Sequence, residues 1–253
     1  MDVLEKLSTF YEKWTGEKGY IGCTENGALI PFFAVAKSEK PVILAQYAIH
    51  AREYITTFLA LEQAEDFAEN GKKGTVYFVP AVNIDGLVEV LGGDKTYKAN
   101  ANMVDLNVNF DARWGEGAKN VREKSPENYI GKYPFSESET AALREFTLSV
   151  KPDMTLSYHS KGEEIYWEFF QKGKDKKRDF ALANAVSKAT GYPLKNAGKS
   201  AGGYKDWCIE KLKIPALTIE VGSDSLSHPI GEEFAEEIFF KNRNVIKTLT
   251  EIL

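Results

Sequence analysis

Four short runs of apolar and β-branched residues constrain this chain more than anything else in it. They cover 41–48, 75–79, 154–158 and 216–221. Runs this short have strand length and fall below helix length. They show almost no polar alternation, so both faces must be buried, and parallel strands covered by helices on either side achieve that. Helical periodicity fills the gaps between them. It runs over 54–69, with Phe58, Leu59, Leu61 and Ala64 toward one side, and over 136–150, where Ser136 and Glu139 have the spacing of a capping box. It returns over 232–253 as one long amphipathic stretch. Near the front, 20–23 and 29–36 flank Glu25-Asn26-Gly27, and Asn-Gly is a strong hairpin signal because both residues tolerate positive φ. The predicted architecture is a three-layer α/β/α sandwich with a mixed, mostly parallel sheet. With 253 residues, no repeats and no Pro/Gly-rich linker, the expectation is one domain over 1–253.

A net charge of −5 and the lack of any Lys/Arg block give no hint of nucleic-acid binding. No apolar run approaches the roughly 18 residues of a membrane span. The start, Met1-Asp2-Val3-Leu4-Glu5-Lys6, has early acidic residues and no apolar core of a secretory signal, so the expected location is the cytoplasm. The two cysteines, Cys23 and Cys208, lie far apart and outside any CxxC pattern. They read as buried free thiols or as one disulfide.

The chain has three histidines, and two follow predicted strands: His50 after 41–48 and His159 after 154–158. Ligands of open α/β sheets bind beyond the carboxyl ends of the strands, where two imidazoles could converge. His50-Ala51-Arg52-Glu53 puts a carboxylate one turn from an imidazole. Two histidines and one carboxylate form a common first shell for catalytic zinc, with the fourth position left to water. The same residues also fit satisfied core histidines and an acid favoured at a helix start. A third strand end bears on that choice. Glu220 interrupts the apolar run Pro215-Ala216-Leu217-Thr218-Ile219-Glu220-Val221. It could be a surface acid or half of a buried salt bridge; beside a metal it could take a proton from water as general base.

His50-Ala51-Arg52-Glu53, Ser157-Tyr158-His159-Ser160 and Thr218-Ile219-Glu220-Val221-Gly222 together resemble the zinc carboxypeptidases, the carboxypeptidase A-like metallopeptidases. Asn83-Ile84-Asp85-Gly86, Asp105-Leu106-Asn107-Val108-Asn109-Phe110 and Phe135-Ser136-Glu137-Ser138-Glu139-Thr140 resemble further motifs of that family, in order, over about 40–225. The resemblance implies a carboxypeptidase-like fold and one Zn2+ per chain held by His50, Glu53 and His159. It implies Glu220 as general base and proton shuttle to the leaving amine. Lys98 falls where the family has an arginine that supports the oxyanion; it can act as a point charge but cannot fork to the oxygen, and it also fits a solvated loop lysine. Arg52, Asn107, Arg113 and Ser160 are the candidate substrate-binding residues.

Two departures qualify the match. The family grips the substrate's terminal carboxylate with an Asn-Arg pair, and Val108 stands in place of that arginine. Arg113 could substitute from the same loop, or be solvated. Gly198 stands where the family has a mobile tyrosine at the lip of the site. Tyr158-His159-Ser160-Lys161-Gly162-Glu163-Glu164-Ile165-Tyr166-Trp167, Tyr97-Lys98-Ala99-Asn100 and Gly202-Gly203-Tyr204-Lys205-Asp206-Trp207 look like the bacterial γ-D-glutamyl-diaminopimelate peptidase branch. That branch cleaves the amide between D-glutamate and diaminopimelate in cell-wall peptides, which makes a small peptide or muropeptide the implied partner. An ordinary carboxypeptidase acting on L-peptides, and a non-catalytic peptide-binding module on the same scaffold, are the alternatives.

Overall fold

The computed structural model describes residues 2–196 and 198–253. In chain order the elements are α1 Val3–Lys13, β1 Glu17–Cys23, β2 Leu29–Ala36, β3 Val42–Tyr47, α2 Ile55–Asn70, β4 Thr75–Val79, α3 Ile84–Leu91, α4 Ser138–Val150, β5 Met154–Ser160, β6 Glu164–Tyr166, α5 Gly173–Thr190, β7 Leu194–Lys195, α6 Tyr204–Trp207, β8 Ala216–Val221, α7 Ala235–Asn242 and α8 Val245–Ile252. One eight-stranded sheet runs β1-β2-β4-β3-β5-β8-β6-β7. Its centre, β4-β3-β5-β8, is parallel. The hairpin β1–β2 joins it antiparallel to β4, and β6 lies antiparallel to β8. The mixed, mostly parallel three-layer sheet is as the sequence predicts.

The alternation of side chains along the strands sorts residues into two cores. Ile43, Ala45, Tyr47, Leu156, Tyr158 and Ile219 pack on one face with α2, α5 and α8. Leu44, Val79 and Ala216 pack on the other with α4, α6 and the irregular stretch that carries Leu106 and Phe110. His159 and Glu220 have the parity of the second face. The parallel centre therefore aims both at the same side, at the carboxyl ends of adjacent strands.

Several local expectations shift. The hairpin turn uses positive φ only at Gly27, and its bonds run from the Thr24 amide to the Ala28 carbonyl and from the Gly27 amide to the Thr24 carbonyl. Helix α4 begins at Ser138, two residues later than predicted, and the side chain of its N-cap residue, Glu137, makes no capping bond. Ser136 donates instead to the neighbouring Glu137 carboxylate, and Glu139 accepts from Asn100, so one adjacent and one distant partner take the two halves of the expected capping box. The single helix expected over 232–253 is broken at Arg243–Asn244. The Asn242 carbonyl accepts a hydrogen bond from Gln63 Nε2 at 3.1 Å, and the buried Asn242 side chain donates to Tyr192. Both thiols are free, but only Cys208 is buried; Cys23 is exposed at the end of an outer strand. Among the described residues, no helix is long and apolar enough to cross a membrane.

Candidate metal centre

Strand β3 ends at Tyr47, and the chain passes through His50 into a single 3-10 turn, Ala51–Glu53, before α2. That tight turn puts His50 and Glu53 on one side, with His50 Nδ1 at 3.0 Å from Glu53 Oε1. His159 belongs to β5 itself rather than following it, and its Nδ1 lies 2.9 Å from Glu53 Oε2 and 3.0 Å from His50 Nδ1. The ligand atoms of His50, Glu53 and His159 thus lie within 4.8 Å of one another, and all three residues are buried. Two imidazole nitrogens pointing at each other across a carboxylate leave lone pairs that a cation would satisfy together. A nitrogen-rich, open, three-residue donor set suits zinc.

The surroundings hold these side chains in place. His50 Nε2 lies 3.1 Å from Asp105 Oδ1, a carboxylate behind the imidazole that fixes the ring and raises its basicity. Asp105 in turn accepts from Lys98 Nζ at 3.0 Å and from the Asn107 and Asn128 amides. The Ser160 amide donates to Glu53 Oε2 at 3.3 Å. Burial alone would raise the pKa of both Glu53 and Asp105, but the imidazoles beside Glu53, and Lys98 with His50 beside Asp105, hold each well below the ordinary carboxylate range. Glu220 pairs with His159 in strand register. Burial pushes it up to about 8, against the lowering influence of His159.

These residues open onto a cleft of about 410 Å³, whose wall includes His50, Lys98, Asn107, Val108, His159 and Glu220. The structure therefore brings together His50, Glu53, His159, Glu220, Lys98 and Asn107. It does not bring the other three substrate-binding candidates to the wall. Arg113 binds Glu210 at 3.0 Å and stacks its guanidinium 3.5 Å above the Phe170 ring. Paired this way, it does not replace the arginine absent at Val108. Arg52 reaches the Thr96 carbonyl and Glu127. Ser160 contributes its amide to Glu53, while its Oγ is buried without a partner among the described residues. Gly198 is exposed, at φ +61. The sequence alone assigns Asp105 no role. A carboxylate two residues before Asn107, inside a motif already singled out, was the signal that could have found it.

A doubly covered sheet carrying a His–Glu–His donor group and a facing carboxylate at its strand ends defines an α/β protein built around a catalytic-type metal centre. The chain belongs to the zinc carboxypeptidase family, whose profile matches residues 18–250. It is 28% identical to Gamma-D-glutamyl-L-diamino acid endopeptidase 1 of Lysinibacillus sphaericus, over 92% of this chain and 66% of that protein. It is 27% identical to the uncharacterized protein YqgT of Bacillus subtilis (strain 168), over 69% of this chain and 56% of that one. The chain therefore spans between about half and two thirds of the length of these relatives. Among solved structures, bovine thrombin-activatable fibrinolysis inhibitor matches with a TM-score of 0.87 at 21% identity, over 100% of this chain and 96% of that one. Murein-tripeptide amidase MpaA from Escherichia coli O157 matches with a TM-score of 0.68 at 23% identity, over 92% of each chain. Both share the fold.

Proposed function

We propose that the chain hydrolyses a peptide amide bond with the help of zinc held by His50, Glu53 and His159, and that the bond is the γ-D-glutamyl–diaminopimelate amide of small cell-wall-derived peptides. One observation carries this reading. Glu220, a carboxylate without a hydrogen bond or ion pair from a side chain among the described residues, stands beside the ligand group on the wall of the same cleft. When bound, zinc supplies Lewis acidity that polarises a carbonyl and makes water a nucleophile at neutral pH. The chain's own residues do the rest. Glu220 accepts a proton from the attacking water and returns it to the leaving nitrogen. Its burial favours the neutral form, and a divalent cation beside it favours the ionised form that a base requires. Lys98, held by Asp105, is the cation available to steady negative charge on the reacting oxygen. Asn107 lines the cleft and contributes to substrate binding.

Support for the wall-peptide substrate comes from the Lysinibacillus relative and from Val108, which cannot fork to a terminal carboxylate as arginine does. A cleft of this size suits a short peptide. Two free thiols suit a reducing compartment, which supports a cytoplasmic setting. The test is to incubate zinc-loaded protein with L-alanyl-γ-D-glutamyl-diaminopimelate and follow the products by mass spectrometry. Free diaminopimelate and L-alanyl-D-glutamate are expected. Removal of C-terminal residues from ordinary L-peptides, with the γ-linked peptide untouched, would point to an ordinary carboxypeptidase. Binding without cleavage would point to a non-catalytic module.

A further inference from the structure

We propose that the outward face of α5 docks the chain on an anionic lipid surface, through Lys172, Lys174 and Lys177 and the exposed rings of Phe170 and Phe180. The proposal goes beyond the peptidase reading and does not depend on it. The net charge of −5 conceals an uneven distribution. Residues 172–188 hold six cations and two acids, which leaves −9 for the rest of the chain. Five of the six stand together in Lys172-Gly173-Lys174-Asp175-Lys176-Lys177-Arg178, a local block where the sequence reading expects none. A concentration of one sign on a chain of the other sign marks a face that attracts a partner of opposite charge.

The fold sorts these charges. Asp179, Leu182, Ala183 and Val186 are the buried residues of α5. The helical repeat therefore turns Lys174, Lys177, Phe180 and Lys188 outward, and all four are exposed. Both acids are taken, because Arg178 lies 2.8 Å from Asp179 and 3.9 Å from Asp175. Lys176 is taken by Glu168 at 2.5 Å. Lys172, Lys174 and Lys177 are exposed and have no carboxylate partner among the described residues. Helix stability does not account for them. Cations at a helix N-terminus oppose the macrodipole, and the side chain of the N-cap residue, Lys172, makes no capping bond.

Two large apolar side chains share this surface. Phe170 is 57% exposed and Phe180 48%. Phe170 lies in the loop that leads into α5, with φ +56, a conformation that a bulky side chain rarely adopts. Phe180 meets Trp167 of the same loop edge-on, with ring centroids 5.4 Å apart. Exposed rings beside unpaired ammonium groups have the chemistry of an interfacial helix. Its lysines meet headgroup phosphates and its rings enter the acyl boundary. A single strand of nucleic acid follows a charged groove, and α5 offers a convex face instead. The acidic surface of a second copy would use the lysines and leave the rings without a role.

The position of the face is compatible with an open metal centre. Strand β6 runs antiparallel to β8, with Glu164 opposite Glu220 and Tyr166 opposite Thr218. The chain therefore leaves β6 toward the amino end of β8. There Arg178 Nη2 donates to the Lys213 carbonyl at 3.1 Å. The cationic block thus lies at the other end of the sheet from the strand ends that carry His159 and Glu220. Among the described residues no helix is long and apolar enough to cross a bilayer, so the attachment is one that lies on the surface and is governed by charge.

The test is co-sedimentation of the full chain with vesicles of phosphatidylcholine alone and with about 30% phosphatidylglycerol, at about 0.05 M and about 0.5 M salt. Binding is expected to the anionic vesicles at low salt and to neither kind at high salt. Lys172→Gln/Lys174→Gln/Lys177→Gln should lower the partition coefficient by about 100-fold. Phe180→Ser should lower it by about 5-fold, as should Phe170→Asn, which keeps a residue tolerant of positive φ. Lys72→Gln/Lys73→Gln, exposed between α2 and β4, should leave it unchanged. Every variant is expected to keep the wild-type thermal midpoint, because each replaces an exposed side chain. Equal binding to neutral vesicles, no binding to anionic ones, or an equal loss in the Lys72/Lys73 variant would overturn the proposal. Two other results would reassign the face. Self-association in sedimentation velocity without lipid, lost in the triple lysine variant, would assign it to a second copy. Binding to single-stranded DNA in preference to anionic vesicles would assign it to a nucleic acid.

Discussion

Among the described residues, two clusters have ligand atoms close enough to hold a cation: His50, Glu53 and His159 at the strand ends, and Glu25, Glu137 and Glu139 beside the start of α4. Distance alone does not separate them. The first has two imidazole nitrogens turned on one carboxylate and opens on a cleft. The second is all oxygen, and donors already occupy it. Asn100 Nδ2 reaches both Glu137 and Glu139, Asn102 Nδ2 reaches Glu137, and the Ser138 amide reaches Glu25. The charge is also handled differently. Glu53 stays well below the ordinary range because of its imidazoles, despite burial. Burial lifts Glu139 to about 7, so the second cluster relieves repulsion by keeping a proton. A metal centre needs unspent lone pairs as well as proximity.

The largest effect that would sharpen this contrast is at Glu220. Glu220→Gln should cost about 10²- to 10⁴-fold in kcat, the range of general acid–base catalysis, and keep one zinc per chain by atomic absorption. Loss of the metal in that variant would mean that Glu220 is a ligand rather than a base. Next in size is removal of zinc itself. A chelator should abolish turnover and lower the thermal midpoint. Restoring free zinc to about 100 times its Kd should return ~2.7 kcal/mol of stability. Millimolar calcium, which prefers oxygen ligands, should leave the midpoint within about 1 °C if the glutamate cluster is spent as described. A large calcium shift would break the distinction. Smaller again is the carboxylate behind His50. Asp105→Asn should weaken zinc binding by roughly 10- to 100-fold in a competition titration, and Asn102→Ala, in the other cluster, should not change it.

The legible parts were those set by local pattern. Unalternating strands fixed the parallel centre, because a strand buried on both faces has no polar side to show. His50 and Glu53 were legible because one turn connects them. His159 and Glu220 could be placed at strand ends, but that they are register neighbours follows from β5 pairing with β8, and spacing cannot encode a pairing across 60 residues of chain. The errors have the same origin. The loop position of Arg113 suggests the cleft, yet Glu210 and Phe170, both far along the chain, take its guanidinium. Ser136 and Glu139 have capping-box spacing, yet Asn109 bonds the Ser136 hydroxyl and Asn100 the Glu139 carboxylate from far along the chain. The break at Arg243–Asn244 depends on Gln63 reaching a carbonyl from another helix.

The smallest expected effect tests the proton in the second cluster. Glu139 is fully buried, with a pKa raised from 4.5 to about 7, chiefly by burial. Between those values the folded state holds a proton that the unfolded chain has released. The stability this group contributes is therefore fully present below about 4.5 and is lost as pH rises toward 7. Glu139→Gln keeps the shape and an oxygen for Asn100 but has nothing to titrate. Urea denaturation should show it more stable than wild type by ~1–2 kcal/mol at pH 8, with the gap closing toward pH 4.5. Asp105 and Glu53 do not confuse the result. Their depressed values mean that their contributions are present above the ordinary carboxylate range and fail only at lower pH. A wild type that gains stability over Glu139→Gln as pH rises would show Glu139 ionised and favourably paired, and a cation held by the glutamate cluster would then be the simplest account of the pairing.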